Sequence, residues 1–143
     1  MTAFSVEPAA EHADVRAALY ELVGRFLADY ERAANASGLS LTQARVLGFA
    51  ACDPPSQRRL AERLGCDPSN VSVLVDRLVE RELVERRPDP RDGRVKLVVA
   101  TDAGRELAVR CCQDREWLGP TLDGLRPDQL ETVREALLLL VGR

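Results

Sequence analysis

The residues best suited to do chemistry lie near the middle of the chain. Ser69, Asn70, Ser72, Val73 and Arg77 fall on one side of a segment with helical spacing. Short hydroxyl and amide groups near a helix N-terminus suit hydrogen bonding to base edges in a major groove, and an outward valine suits a thymine methyl. A second group follows in a stretch rich in proline, aspartate and glycine, where Arg91 and Arg94 flank Asp92. Arginines at a hairpin tip can enter an adjacent narrow minor groove, where negative potential is focused, and an aspartate between them can pin one in place. Asp76 shares the side of the helix that carries Ser69. A carboxylate there is misplaced beside phosphates unless it orients Arg77 or another arginine. The bland alternatives are a solvated helix face and a charged, soluble turn.

Little else in the chain is equipped for catalysis. There is one histidine, His12, near the N-terminus, and no Gly-rich phosphate loop. Cys52, Cys66, Cys111 and Cys112 show no metal-type spacing and read as free thiols. These features argue against an enzyme and indicate no catalytic residue, no cofactor and no metal. Cys66 sits where a small buried side chain is wanted. Cys111 and Cys112 are adjacent, and successive helix positions point about 100° apart, which can leave one exposed; inert thiols are the leading reading, since reactivity needs both exposure and a lowered pKa.

The elements that must position these groups follow from punctuation and period. A helical pattern runs from Glu11 to about Ala36, with Val15, Leu19, Leu22, Phe26 and Tyr30 spaced by three or four residues. Ser40 and Gln43 form a capping box that opens a second helix, and Asp53-Pro54-Pro55 ends it. Ser56 caps a third helix over 57–64, and Gly65 supplies a left-handed stop. Asp67-Pro68 opens a fourth helix reaching about Arg81. The period then changes to extended over 84–87 and 94–100, separated by a turn over 88–93, which predicts a β-hairpin. Thr101 caps a fifth helix to about Leu118, broken by Gly119-Pro120, and Pro127 opens a sixth ending near Val141.

Within this order, Gln57 onward carries a helix-turn-helix pattern. Ala61 is the small residue where the helices cross, Gly65 the elbow, and Leu60, Leu64, Cys66, Val71 and Leu74 the apolar supports. Val71, Leu74, Val75 and Leu78 cluster on the side of the fourth helix opposite Ser69 and Asn70. The expected fold is mainly α with a small β-wing. It consists of an N-terminal helix with a short tail (1–36), a winged helix-turn-helix (37–101) and C-terminal helices (102–143).

Bulk composition agrees with a soluble regulator more than it identifies one. The 143 residues are 45% hydrophobic and 30% charged, enough for one aliphatic core and a polar surface. The net charge of −3 is unlike a typical DNA-binding protein, yet residues 56–96 hold ten basic and eight acidic side chains and are net positive. The first 30 residues lack a secretory pattern, and the longest apolar run, 136–141, is too short to span a bilayer. A cytoplasmic protein without membrane association is expected.

Four runs together resemble the MarR (multiple antibiotic resistance regulator) family. They are Leu60-Ala61-Glu62-Arg63-Leu64, Val71 through Leu78, Asp89-Pro90-Arg91-Asp92-Gly93-Arg94 and Thr101-Asp102-Ala103-Gly104. The resemblance covers nearly the whole chain in element order and is most specific from 57 to 104. It implies a homodimer intertwined through its first, fifth and sixth helices. It also implies a winged helix on a pseudo-palindromic double-stranded DNA operator. The contacts it carries over are Ser69, Asn70, Ser72, Val73 and Arg77 in the recognition helix, and Arg91, Asp92 and Arg94 in the wing. It further implies a response to a small aromatic or phenolic effector, for which Tyr20, Arg25, Phe26, Tyr30, Arg45 and Trp117 are candidates by residue type. The alternatives are a thiol-based redox sensor and a winged-helix adaptor that binds protein, not DNA. Three positions depart from the family pattern. Glu82 replaces the glycine after the recognition helix, Ala100 is small before the Thr101 cap, and Arg126 is a poor cap for the last helix.

Overall fold

The structure, a computed structural model, describes residues 12–113 and 116–142. Its elements are α1 (Ala13–Ala36), α2 (Leu41–Cys52), α3 (Gln57–Leu64), α4 (Pro68–Glu80), β1 (Val84–Pro88), β2 (Lys96–Ala100), α5 (Asp102–Gln113), α6 (Leu118–Asp123) and α7 (Pro127–Leu140). They form two compact units. One holds the described residues up to Asp29 and those from Glu116 onward; the other holds residues 30–113.

The larger unit is a winged helix. Its local ends form for the reasons the sequence suggests. The Ser40 hydroxyl accepts from Gln43 N–H at 3.2 Å, and the Gln43 side chain accepts from Ser40 N–H at 2.9 Å, closing the capping box. Ser56 caps α3 through Arg59 N–H at 3.2 Å. Gly65 takes φ 63°, the left-handed stop that lets α3 turn into α4. Asp67 has the N-cap backbone conformation, but its side chain makes no cap hydrogen bond, so the start of α4 rests on Pro68 at its first position.

The helices enclose one aliphatic core. Leu47 and Val46 of α2, Leu60 of α3, Val71, Val75 and Leu78 of α4, and Val84 and Val98 of the hairpin are all fully buried. Leu107 and Cys111 of α5 join the same cluster, so α5 packs as part of this unit. The strands pair antiparallel, with Val84 opposite Ala100 and Pro88 opposite Lys96. β2 begins at Lys96, later than Arg94, because Asp92 draws the Arg94 N–H into the turn at 3.1 Å. On its other side β2 meets the α2–α3 connection. Val98 N–H donates to the Pro55 carbonyl at 2.8 Å, and Ser56 forms an isolated antiparallel bridge with Leu97, beside the two-stranded sheet.

The last third of the chain departs from the expected helix ends. The fifth helix ends at Gln113, short of Leu118, and Gly119-Pro120 lies inside α6 where a break was expected. Pro120 is tolerated because it falls in the first turn, whose N–H groups have no intrahelical partner. Asp29 supplies that turn with acceptors. Its carboxylate, on a residue 7% exposed, takes the N–H of Glu116 at 3.1 Å and those of Trp117 and Leu118 at 3.4 Å. Arg126 does not cap α7 with its side chain. The Gln129 side chain accepts the Arg126 N–H at 3.0 Å, and the guanidinium grips Asp128 with both forks.

Candidate nucleic-acid interface

A helix can read a groove only if one face is locked and the other is free, and α4 meets both conditions. Val71, Val75 and Leu78 are fully buried and Leu74 is half-buried. Ser69 and Asn70 are exposed in its first turn. Ser72 is half-buried beside them, Val73 is 49% exposed, and Arg77 is exposed a turn further on. The fold therefore gathers all five predicted residues on or beside one outward face.

The three predicted wing residues lie together at the hairpin tip. Asp89 and Asp92 organise the turn. Asp89 accepts from Arg91 N–H at 2.8 Å, and Asp89 N–H donates to the Val95 carbonyl at 2.8 Å. Asp92 accepts from both the backbone N–H and the Nε of Arg94, at 3.1 and 3.2 Å. The aspartate thus holds the base of a guanidinium whose side chain is 92% exposed. Arg91 is exposed as well.

Glu82 decides how the helix hands over to the wing. It adopts φ 57°, the left-handed region where glycine is the usual occupant. A side chain there costs about 1–2 kcal/mol, and three neighbouring contacts hold it. Leu83 N–H reaches back to the Leu78 carbonyl at 2.9 Å, and Glu82 N–H to Val79 at 2.8 Å. The Thr101 hydroxyl donates to the Glu82 carbonyl at 2.7 Å while accepting from Gly104 N–H at 3.0 Å. The left-handed turn is therefore made without a glycine, and the cap of α5 clamps it from the far end of the hairpin.

Two arrangements escaped the sequence reading. Asp76, expected to orient Arg77 or another arginine, pairs with Arg86 of β1 at 2.6 Å. Asp53, at the end of α2, holds Arg63 at 3.1 Å and Arg59 at 3.4 Å, with Arg63 also stacked 4.9 Å over the Phe49 ring. The alternation of β1 signalled the first, because Val84 and Arg86 share the inward face. The second joins groups across a proline turn and left no local pattern.

The sensor candidates scatter. Phe26 and Trp117 line a wholly apolar cavity of about 510 Å3 in the smaller unit, with Leu19, Val23, Leu122 and Val133. Tyr20 points to solvent and Arg25 pairs with Glu21 at 2.8 Å. Tyr30 packs on the core of the larger unit near Gly48, and Arg45 is half-buried. The cysteine pair divides: Cys111 is buried and its Sγ lies 3.3 Å from the Ser37 hydroxyl, while Cys112 is exposed. Among the described residues no cluster has metal-binding composition, and no helix is long and apolar enough to cross a membrane.

Comparison with known proteins agrees with this geometry. The MarR family model matches residues 37–95. The chain is similar to the HTH-type transcriptional repressor NicR of Pseudomonas putida, with 39% identity over 54 residues, or 38% of this chain. That match spans only 34% of NicR. Over nearly full length it is similar to CouR from Rhodococcus jostii RHA1, solved bound to p-coumaroyl-CoA. Identity is 32%, TM-score 0.72, and coverage 89% of this chain and 91% of CouR. A MarR-family transcriptional regulator from Rhodococcus sp. RHA1 gives 30% identity and TM-score 0.69, covering 92% of this chain and 94% of that one.

Proposed function

The chain belongs to the MarR family of transcriptional regulators, and on that premise we propose that it is a ligand-responsive repressor that binds a pseudo-palindromic operator as a homodimer. One observation carries the DNA-binding part. α4 buries Val71, Val75 and Leu78 fully and sets Ser69, Asn70, Ser72, Val73 and Arg77 on or beside its opposite face, while the same unit extends Arg91 and Arg94 on a hairpin tip ordered by Asp92. In this reading the α4 residues meet base edges in the major groove, and the two arginines meet the adjacent minor groove.

Pairing of two copies is supported by what the single chain leaves uncovered. α7 has no buried residue, and Leu137, Leu139 and Leu140 are exposed on it. Val15, Leu19, Leu22 and Val23 are exposed along α1. A 14-residue helix with no buried residue is marginal in water, so these stripes call for a partner. A second copy is the partner proposed, and it would set two recognition helices about one DNA turn apart.

The proposed effector is an aromatic or phenolic acid, free or as its coenzyme A thioester. Its support is the likeness to CouR, whose bound molecule is p-coumaroyl-CoA. The test is selection of duplexes from a random pool, then titration of the selected complex with p-coumarate and with p-coumaroyl-CoA. Enrichment of an inverted repeat, a steep salt dependence and release by either compound would support the reading. No enrichment at all would favour the protein-binding adaptor.

A further inference from the structure

An acidic side chain sits on the outward face of α4. At about 100° per residue, Asp76 falls within about 60° of Ser69, Ser72 and Val73. A carboxylate beside base-reading residues would face the phosphates it should repel. It is not alone, because Arg86 Nη2 lies 2.6 Å from Asp76 Oδ1. Arg86 reaches it through the pleat of β1. Val84 and Arg86 share the inward face, whereas Arg87 points the other way and pairs with Glu85. The side-chain exposures reflect that difference, 30% for Arg86 against 61% for Arg87.

We propose that Arg86 is a determinant of DNA affinity that acts by cancelling the charge of Asp76 on the DNA-facing side of α4. This rests on the reading of the chain as a DNA-binding protein. Arg86 is a positioning residue in this role, since its partner is the carboxylate and not a base. The arrangement has a thermodynamic fingerprint. If the ion pair were only a structural clasp, breaking it from either end would weaken DNA binding alike. If it cancels charge, only loss of the arginine does harm, because loss of the aspartate removes the charge itself.

The experiment uses duplexes selected by the wild-type protein and compares Arg86→Gln, Asp76→Asn, the double variant and Arg87→Gln by fluorescence anisotropy. Arg86→Gln should bind on the order of tenfold more weakly per protomer, as expected when an unpaired like charge meets phosphate. Asp76→Asn should bind at least as tightly as wild type, and the double variant should recover to within about threefold of it. Arg87→Gln should lose less than Arg86→Gln. Equal losses from Arg86→Gln and Asp76→Asn, or a double variant as weak as Arg86→Gln, would overturn the proposal. So would an Arg86→Gln variant that binds normally. Thermal unfolding of each variant separates misfolding from lost affinity; if Arg86→Gln unfolds, Arg86→Lys takes its place and should retain most of the affinity. Selection of no sequence by the wild type would instead count against DNA binding as such, leaving the two failures distinguishable.

Discussion

Replacing Gly104 with alanine sets two effects of opposite sign against each other. Gly104 lies in the first turn of α5, where helix propensity alone favours alanine by about 1 kcal/mol. The tertiary setting opposes it. A Cβ at this position would fall 1.9 Å from the Leu83 carbonyl oxygen, 2.9 Å from its carbon and 3.1 Å from a Leu47 methyl. The nearest obstacle is backbone and cannot swing aside as a side-chain end does. Overpacking of this kind costs about 1–3 kcal/mol, and more when backbone must move. The same oxygen accepts Thr101 N–H at 3.1 Å, so displacing it also weakens a hydrogen bond worth about 1 kcal/mol. The steric terms win, leaving a net loss of about 1–3 kcal/mol, or roughly a 3–10 °C fall in Tm for a chain of this size. Circular dichroism melts at matched protein concentration measure it, concentration being fixed because a dimer's Tm depends on it. A Tm equal to or above wild type would refute the close approach of α5 to the wing's root. DNA affinity should fall with Tm, since Leu83 is the first residue after the left-handed turn into the wing.

Other substitutions separate the parts of the site. Arg91→Ala or Arg94→Ala should weaken operator binding with the dimer intact, seen as a lower affinity and a shallower salt dependence; unchanged affinity in both would remove the wing from the mechanism. Asn70→Ala and Ser72→Ala should relax base preference by about 1–3 kcal/mol at the contacted positions, read as a footprint or selection profile that broadens. Glu82→Gly should stabilise the fold slightly, because relief of about 1–2 kcal/mol of left-handed strain is offset by about 0.5–1 kcal/mol of added chain entropy in the unfolded state; a lower Tm would mean the glutamate side chain contributes something its backbone does not reveal. Sedimentation should give a dimer, and replacing Leu137 with aspartate should push it toward monomer.

Much of the candidate interface was legible because it is local. Caps and elbows act within three or four residues, so Ser40, Ser56 and Gly65 announce helix ends directly. Both periodicities are just as plain: the apolar stripe of α4 fixes which face is outward, and the alternation of 84–87 marks a strand. The predicted α4 and wing residues come out on the expected surfaces for that reason. Helix ends in the last third were less legible. Gly119-Pro120 has the composition of a break, yet proline is equally at home in a first turn, and the choice lay with Asp29, a carboxylate nearly ninety positions away in the chain.

The sequence by itself determined the element order through the wing, the helix-turn-helix register and the charged wing tip, all of which are written in spacing and in single residues with special backbone preferences. Only the tertiary structure decided what happens at the joins. It showed that Glu82 holds a glycine's conformation because Thr101, from the far end of the hairpin, donates to its carbonyl. It also gave Asp76 the partner Arg86, through a strand whose inward face meets the helix ten residues earlier. Period and composition rank residues by position along one element. Which charge answers which across two elements depends on how those elements pack, and packing is settled by the whole core at once.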